Sequence, residues 1–559
     1  MTATADLILT NGKVITVDPR FSVAQAIAVK GERILAVGSA DQVRSQAGRD
    51  TRTIDAGGRA VIPGLTDGHA HMDREGLKDV FPSLAGCKSV QDVLDRIADL
   101  ARAAKPGEWI VTMPIGEPPY YWDTPKNLRE NRWPTRAELD TVAPDNPVYI
   151  RPIWGFWRHT LPITSVANTR ALALAGIGKD TRPPAPVVEF EKDASGELNG
   201  VIHEDTPMPV VELGYFHMMP GFTQAHRARG LKNAMRIYNA TGTTSVLEEH
   251  GCAPELIQAY QAVRASGDAS VRANLVFSPS WSGARDYGPT LRTWGGWLAH
   301  RGLGDEWLRV AGLFTEFGLT PESLFRAKAA PYTGWSGFNY DCGVPRERMV
   351  EFMTECARND IRVCAIWVDF LPFFEEVNKV VPLKGRRWIC GHVNTLDDAT
   401  IEKAEKMGVV MTTHTNRYVF KEGHLTRQKL GKARENEIVP LKSMRAAGLH
   451  VGLATDNVPT TLWHPIWHTI SRYNRYSNDA IAPDQAVSRE DALRCATVEG
   501  AYLTFEENEK GSLEPGKLAD FAVLSADPLT CAEDAIKDIA AETTVVGGRV
   551  VYQRNGAAT

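Results

Sequence analysis

At both ends of the chain, short apolar runs are broken by pairs of turn residues, whereas the middle alternates apolar, β-branched runs with helix-like stretches. "DLILT-NG-KVITVD" predicts two strands around a hairpin at Asn11-Gly12, because both positions of such a turn need φ > 0. "AIAV-KGER-ILAVG" repeats the pattern and "TRTIDAGGRAVIPG" adds a further strand. Near the other terminus, "GKLADFAVLSADP" and "ETTVVGGRVVYQ" are strands with glycine-rich turns. Together these predict a small composite β-sandwich domain built from residues 1–60 and 505–559.

Between the ends, the predicted strands are "AVIPGLTDGHAH", "TTSVLEEH", "SVRANLVFS", "WLRVAGLFTEF", "IRVCAIWVD", "RRWICGHV", "GVVMTTH" and "HVGLATD". Most are separated by helical stretches such as "PRERMVEFMTECARND" and "ATIEKAEKMG". Repeated βα units of this number predict an α/β fold, a (β/α)8 (TIM) barrel over residues 61–504. The first gap is too long for one helix, so an insertion rich in Pro and Trp is expected at about 75–225.

The 559 residues are 43% hydrophobic and 23% charged, with net charge −5 and no long block of one sign. That predicts a soluble globular protein with no nucleic-acid or membrane partner; a small-molecule substrate is expected, and a homo-oligomer is left open. The start, "MTATADLILTNGKVITVD", lacks the basic, unbroken apolar pattern of a secretory signal. Eight scattered cysteines never form Cys-x-x-Cys, which fits a reducing interior and a cytoplasmic location.

In "PGLTDGHAHMD", His69 and His71 stand two apart, so in a strand they share a face, at the carboxyl end of the first barrel strand. Two neutral imidazoles so placed suit a divalent transition metal; alone, such a pair is more often two hydrogen-bonding loop histidines. Other strand ends carry Glu248, Glu249, His250, Glu316, Asp369, His392, His414 and Asp456, and convergence from several strands is what a metalloenzyme requires. Trp281, Trp367 and Trp463, with Trp467, Trp154 and Trp157, could line an aromatic substrate pocket at the mouth, although packing of the insertion onto the barrel accounts for such large residues more often. Arg151, Arg158 and Arg417 could hold a carboxylate, but a surface position is the expectation for them.

"AVIPGLTDGHAHMD", "GTTSV", "ICGHV", "LATDNVP", "GSLEPGKLADFAVL" and "TTVVGGRVVY" resemble the amidohydrolase superfamily. "NRWPTRAELDTVAPDNPVYI" and "TSVANTRALALAGI" are similar to its YtcJ-like branch of N-substituted formamide deformylase-type enzymes. The resemblance implies a metal-dependent barrel that hydrolyses amide or other C–N bonds. It makes His69 and His71 paired metal ligands, His392 the strand-six histidine, and Asp456 both ligand and proton acceptor. Two positions depart from the branch. "WLRVAGLFTEFGL" lacks the lysine that, carbamylated, bridges two metals, and "VCAIWVD" lacks the strand-five histidine, with Ala365 or Ile366 in its place. Glu316, Glu248 or Glu249 could supply the missing carboxylate, and His414 or His250 the missing imidazole. A single divalent ion, zinc by default, is therefore expected over two, on His69, His71, His392 and Asp456.

The expected reaction is hydrolysis of a non-peptide C–N bond, amide, N-acyl or N-formyl, in a small and plausibly aromatic compound. Asp456 is expected to move the proton, and His392 to ligate or to stabilise the oxyanion. Deamination, or ester or C–C hydrolysis, on the same barrel is the alternative, and a binding protein with a degraded metal centre is a third reading.

Overall fold

The computed structural model describes residues 4–118, 121, 123–154, 161–281, 286–318 and 320–554. Eight parallel strands pair in chain order: β1 (Leu65–Asp67), β2 (Thr243–Cys252), β3 (Arg272–Phe277), β4 (Leu308–Phe314), β5 (Val363–Ala365), β6 (Ile389–Cys390), β7 (Val410–Thr413) and β8 (Val451–Leu453). Each predicted run supplies one of them. They are buried on both faces, which is why they read as continuous apolar or β-branched runs rather than alternating ones. The helices between them are signposted locally. In Asp398–Met407, Asp397 accepts from the Thr400 N–H at the start, Gly408 at φ 70° ends the helix, and Ile401, Ala404 and Met407 face inward.

The first and last strands are joined at the top. Gly68 N–H donates to Leu453 O at 2.9 Å, and Asp456 N–H to His69 O at 3.0 Å. Asp67 fastens the same seam: its Oδ1 accepts from the N–H groups of His69 and Thr455, each at 3.1 Å, and its Oδ2 accepts from Thr455 Oγ1 at 2.5 Å. Burial pushes the Asp67 carboxyl up to about 6. The barrel is thereby nearly closed, and the segment carrying His69 and His71 lies against the one carrying Asp456.

The long gap after β1 holds a five-stranded mixed sheet, in the order Val188–Lys192, Leu198–Glu204, Ile163–Ala167, Val148–Ile150 and Ile110–Thr112. The insertion is therefore a folded unit with its own apolar clusters, not only a Pro- and Trp-rich cover. The helix Gln224–Asn239 then leads into β2.

Two expectations need correction. "AVIPGLTDGHAH" is not one strand: Ala60–Pro63 pairs with Lys13–Ile15 and Phe521–Leu524, and β1 begins only at Leu65. "DLILT-NG-KVITVD" is not a hairpin either. Ala5–Thr10 pairs with Ala26–Lys30 and Ala47–Asp55 in a four-stranded sheet, while Lys13–Ile15 joins a six-stranded sheet with strands from the carboxyl end. Asn11 has φ 55° but Gly12 stays outside the positive-φ region, so the pair makes a corner between two sheets rather than a hairpin turn.

One buried ion pair ties the carboxyl-terminal sheet to the barrel. Arg272, in β3, grips Asp520 with Nε at 2.7 Å and Nη2 at 3.0 Å, and Asp520 Oδ1 also accepts from Gly547 N–H at 2.8 Å. Removing one partner strands the other charge in a dry setting. Asp520→Ala is expected to destabilise the protein by about 3–5 kcal/mol, and Arg272→Met/Asp520→Ala by less, as read from urea unfolding.

Candidate metal centre

The carboxyl ends of the strands converge on a group of imidazoles. His69 and His71 follow β1, His250 lies in β2, His392 follows β6 and His414 follows β7; all five are buried. The His69 ring centre lies 4.8 Å from those of His71 and His392, 4.6 Å from His414 and 5.9 Å from His250. His392 and His414 are 4.2 Å apart. Two triads, His69/His71/His250 and His69/His392/His414, bring one ligand atom from each residue within 4.8 Å of one another. Asp456, at the end of β8, places Oδ1 3.1 Å from His71 Nε2 and 3.9 Å from His69 Nε2.

Local chain geometry aims these groups. His392 and Asp456 both sit in the left-handed region, at φ 54° and 53°. Non-glycine residues take that conformation at a cost of about 1–3 kcal/mol, repaid only where the surroundings hold it. Gly391 precedes His392 because a Cβ there would collide with the Glu249 carboxylate.

His69 has one nitrogen already committed. Glu249 Oε2 lies 2.6 Å from its Nδ1 and accepts from Thr412 Oγ1 at 2.6 Å. A carboxylate accepts, so Nδ1 carries the proton and the Nε2 lone pair faces inward, 3.1 Å from His71 Nε2. His392 is held differently: its Nδ1 is 2.8 Å from the Tyr418 hydroxyl, which can donate or accept and so supports either tautomer.

Burial drives the pKa of His71, His250, His392 and His414 well below the usual histidine range; Arg74 adds to this at His71 and His250, and the neighbouring imidazoles at His392 and His414. These rings are neutral near pH 7, the form that binds metal. His392 Nε2, both ring nitrogens of His414 and Asp456 Oδ2 are buried without a hydrogen-bond partner among the described residues. Each such orphan costs about 1–3 kcal/mol, and a cation is the partner that several converging lone pairs share. The donor set of neutral imidazoles and one carboxylate fits a divalent transition metal.

Several expected site residues lie elsewhere. Glu248 stays beside the site, its Oε2 3.8 Å from His71 Nδ1, but it accepts from Tyr260 OH at 2.6 Å and from Met72 N–H at 2.9 Å, so it anchors the turn after His71 and belongs to neither triad. Burial pushes its carboxyl well up, with Asp73 adding to the rise. Glu316 is also outside both triads; its electrostatic neighbours are Arg326 and Cys342, and burial raises it to about 7. Trp281 packs on Tyr287, Trp294 and Phe352, and Trp463 donates its indole N–H to Thr241 O, where β2 begins; both are core residues. Trp367 does reach the site, its ring 4.8 Å from His392.

Trp154 packs on Trp335, and Trp467 on His468 and Tyr473. Trp157 and Arg158 lie outside the described residues. Arg151 is not on the surface: it is buried, paired with Glu212 and set over Phe81 and Phe222. The roles of Asp67, Thr412 and Tyr418 leave no signal in the sequence, since each depends on a neighbour far along the chain. Lys421, on the segment after β7, is buried and electrostatically linked to Asp456, with burial lowering it to about 7.

Residues 52–552 match the amidohydrolase family. The chain belongs to that family and is a hydrolase of it. It is 27% identical to N-substituted formamide deformylase of Arthrobacter pascens, over all of both chains. It is 22% identical to the putative amidohydrolase YtcJ of Bacillus subtilis (strain 168), over 95% of this chain and 96% of that one. Among solved structures, a metal-dependent hydrolase from Pyrococcus horikoshii OT3 superposes with a TM-score of 0.68 at 20% identity, covering 94% of this chain and 99% of that chain. No helix among the described residues is long and apolar enough to cross a membrane.

The Glu249 contact yields a test that does not depend on substrate. Glu249→Gln keeps an acceptor but loses the charge that orients His69, so zinc affinity is expected to fall about 10–100-fold with the fold retained, read by competition with a chromogenic chelator.

Proposed function

We propose that this protein hydrolyses a non-peptide C–N bond, an amide of the N-acyl or N-formyl kind, in a small compound. The observation that carries the reading is the cluster of buried imidazoles facing Asp456 at the mouth of the barrel, in which His392 Nε2 and both ring nitrogens of His414 have no hydrogen-bond partner among the described residues. Similarity along the whole chain to an N-substituted formamide deformylase supports C–N chemistry over other uses of the same site.

His69, His71, His392 and Asp456 would hold a divalent ion, zinc by default, with His250 and His414 as the further imidazoles. Such an ion supplies Lewis acidity, bringing the pKa of water down to about 7. A single ion is favoured by the chemistry of His69. Both triads need its ring, Glu249 engages Nδ1, and only Nε2 is left to coordinate. Asp456 is the group placed to take a proton from water and return it to the leaving nitrogen. Ligation by His392 has an alternative: in the tautomer whose Nδ1 accepts from Tyr418, it leaves the ligand set, directs an Nε2–H into the site and can steady the negative charge on the carbonyl oxygen. Trp367 offers an apolar wall beside that hydrogen bond.

We also read the two terminal sheets as a composite β-sandwich docked on the barrel, since Leu7, Ile27, Val61, Phe521 and Val545 share one apolar cluster. A cytoplasmic location is supported by eight unpaired cysteines, seven of them buried.

The test is turnover on a panel of N-formyl amines, N-acyl amino acids, aryl esters and aminated heterocycles. Turnover is expected in the first two groups, abolished by a chelator and restored by zinc. Asp456→Asn is expected to lower kcat by about 10²–10⁴-fold without unfolding the protein. Unchanged kcat in that variant removes Asp456 from the mechanism, and turnover confined to esters or heterocycles overturns the C–N amide reading.

A further inference from the structure

Arg417, three residues beyond the His414 imidazole, reaches the same neighbourhood from the chain after β7. Its guanidinium carbon lies 5.8 Å from the centre of the Trp367 ring and 5.3 Å from that of Tyr418. Both aromatics touch His392: the Trp367 ring centre is 4.8 Å from the imidazole, and the Tyr418 hydroxyl is 2.8 Å from Nδ1. The cation also acts electrostatically on His392, His414 and Asp456. Its side chain is 21% exposed, so it is largely withdrawn from water.

Only part of the guanidinium is used by the protein. Nε donates to Glu422 Oε1 at 3.1 Å, while Nη1 and Nη2 form no hydrogen bond with the described residues. The two Nη groups are not buried, so they are open to solvent and to a ligand, and the planar fork fits a carboxylate through two parallel hydrogen bonds. Trp367 covers one flank of that position with an apolar face. A group held there lies within one side chain's reach of His392, so it must be attached close to the bond being cleaved.

We infer that the site takes amides carrying a carboxylate next to the scissile C–N bond, as in an N-acyl or N-formyl amino acid, with Arg417 gripping the carboxylate and Trp367 packing on the apolar side chain. This rests on the hydrolase reading above and narrows its substrate class. A neutral N-substituted amide would fill the apolar side and leave the Nη groups without a partner.

The matched probes are N-formylphenylalanine, as each enantiomer, and N-formyl-2-phenylethylamine, which differs only by lacking the carboxylate. The wild-type enzyme is expected to favour one enantiomer of the acid in kcat/KM. Arg417→Met is expected to lower the acid-to-amine ratio about 10–100-fold, the loss of a charge-assisted pair of hydrogen bonds, and Arg417→Lys to recover part of it. No preference in the wild type, or a preference that survives Arg417→Met, overturns the inference. Should Arg417→Met fail to fold, Arg417→Lys carries the test, because it keeps the charge and loses the fork: its ratio should lie below the wild type's, and an equal ratio overturns the inference.

If neither probe is turned over, the N-formyl part of the proposed function fails for these compounds, and calorimetric binding of the same compounds then decides this inference separately. Tighter binding of the acid, weakened in either variant, supports it; equal binding of acid and amine overturns it.

Discussion

The site depends on one short contact, the 2.6 Å pairing of His69 Nδ1 with Glu249 Oε2. An imidazole has two nitrogens, and this contact commits one of them, fixes the tautomer and leaves a single lone pair pointing inward. Because His69 stands at the centre of both triads, the state of its ring sets what the whole cluster can hold. The surrounding architecture serves that contact. Glu249 reaches from β2, Thr412 from β7 steadies its Oε2, and the absent side chain of Gly391 leaves room for its carboxylate.

The barrel seam provides the second constraint. Asp67 draws together the ends of β1 and β8, and only with that seam shut do His71 and Asp456 come within 3.1 Å. Charge then distributes by burial. Burial keeps His71, His250, His392 and His414 neutral, Thr412 and His69 hold the Glu249 carboxylate, and Arg417 has two nitrogens without a hydrogen bond to the described residues. A small set of buried polar groups, drawn from the ends of β1, β2, β6, β7 and β8, thus leaves lone pairs that the described residues do not satisfy and that a cation would.

Much of this is legible in the sequence, for physical reasons. The eight barrel strands are buried on both faces and so announce themselves as β-branched runs, and the spacing of His69 and His71 puts them on one face whatever their partners are. Asp456 and His392 follow from their place at strand ends. What fails to show depends on distant contacts. Nothing local separates Glu248, which binds Tyr260 and a backbone N–H, from Glu249, its neighbour, which orients His69. Trp281 and Trp463 follow strand ends as Trp367 does, yet they turn into the core because apolar partners lie there. The Asn11-Gly12 corner shows the same limit: the turn residues are right for a hairpin, but the flanking strands find better partners in two different sheets.

The most direct measurement is an anomalous-scattering map, at the zinc edge, of crystals of the zinc-loaded protein. The account predicts one peak, within bonding distance of His69 Nε2 and facing Asp456. Two peaks of comparable height at the barrel mouth, or none beside His69, would contradict it.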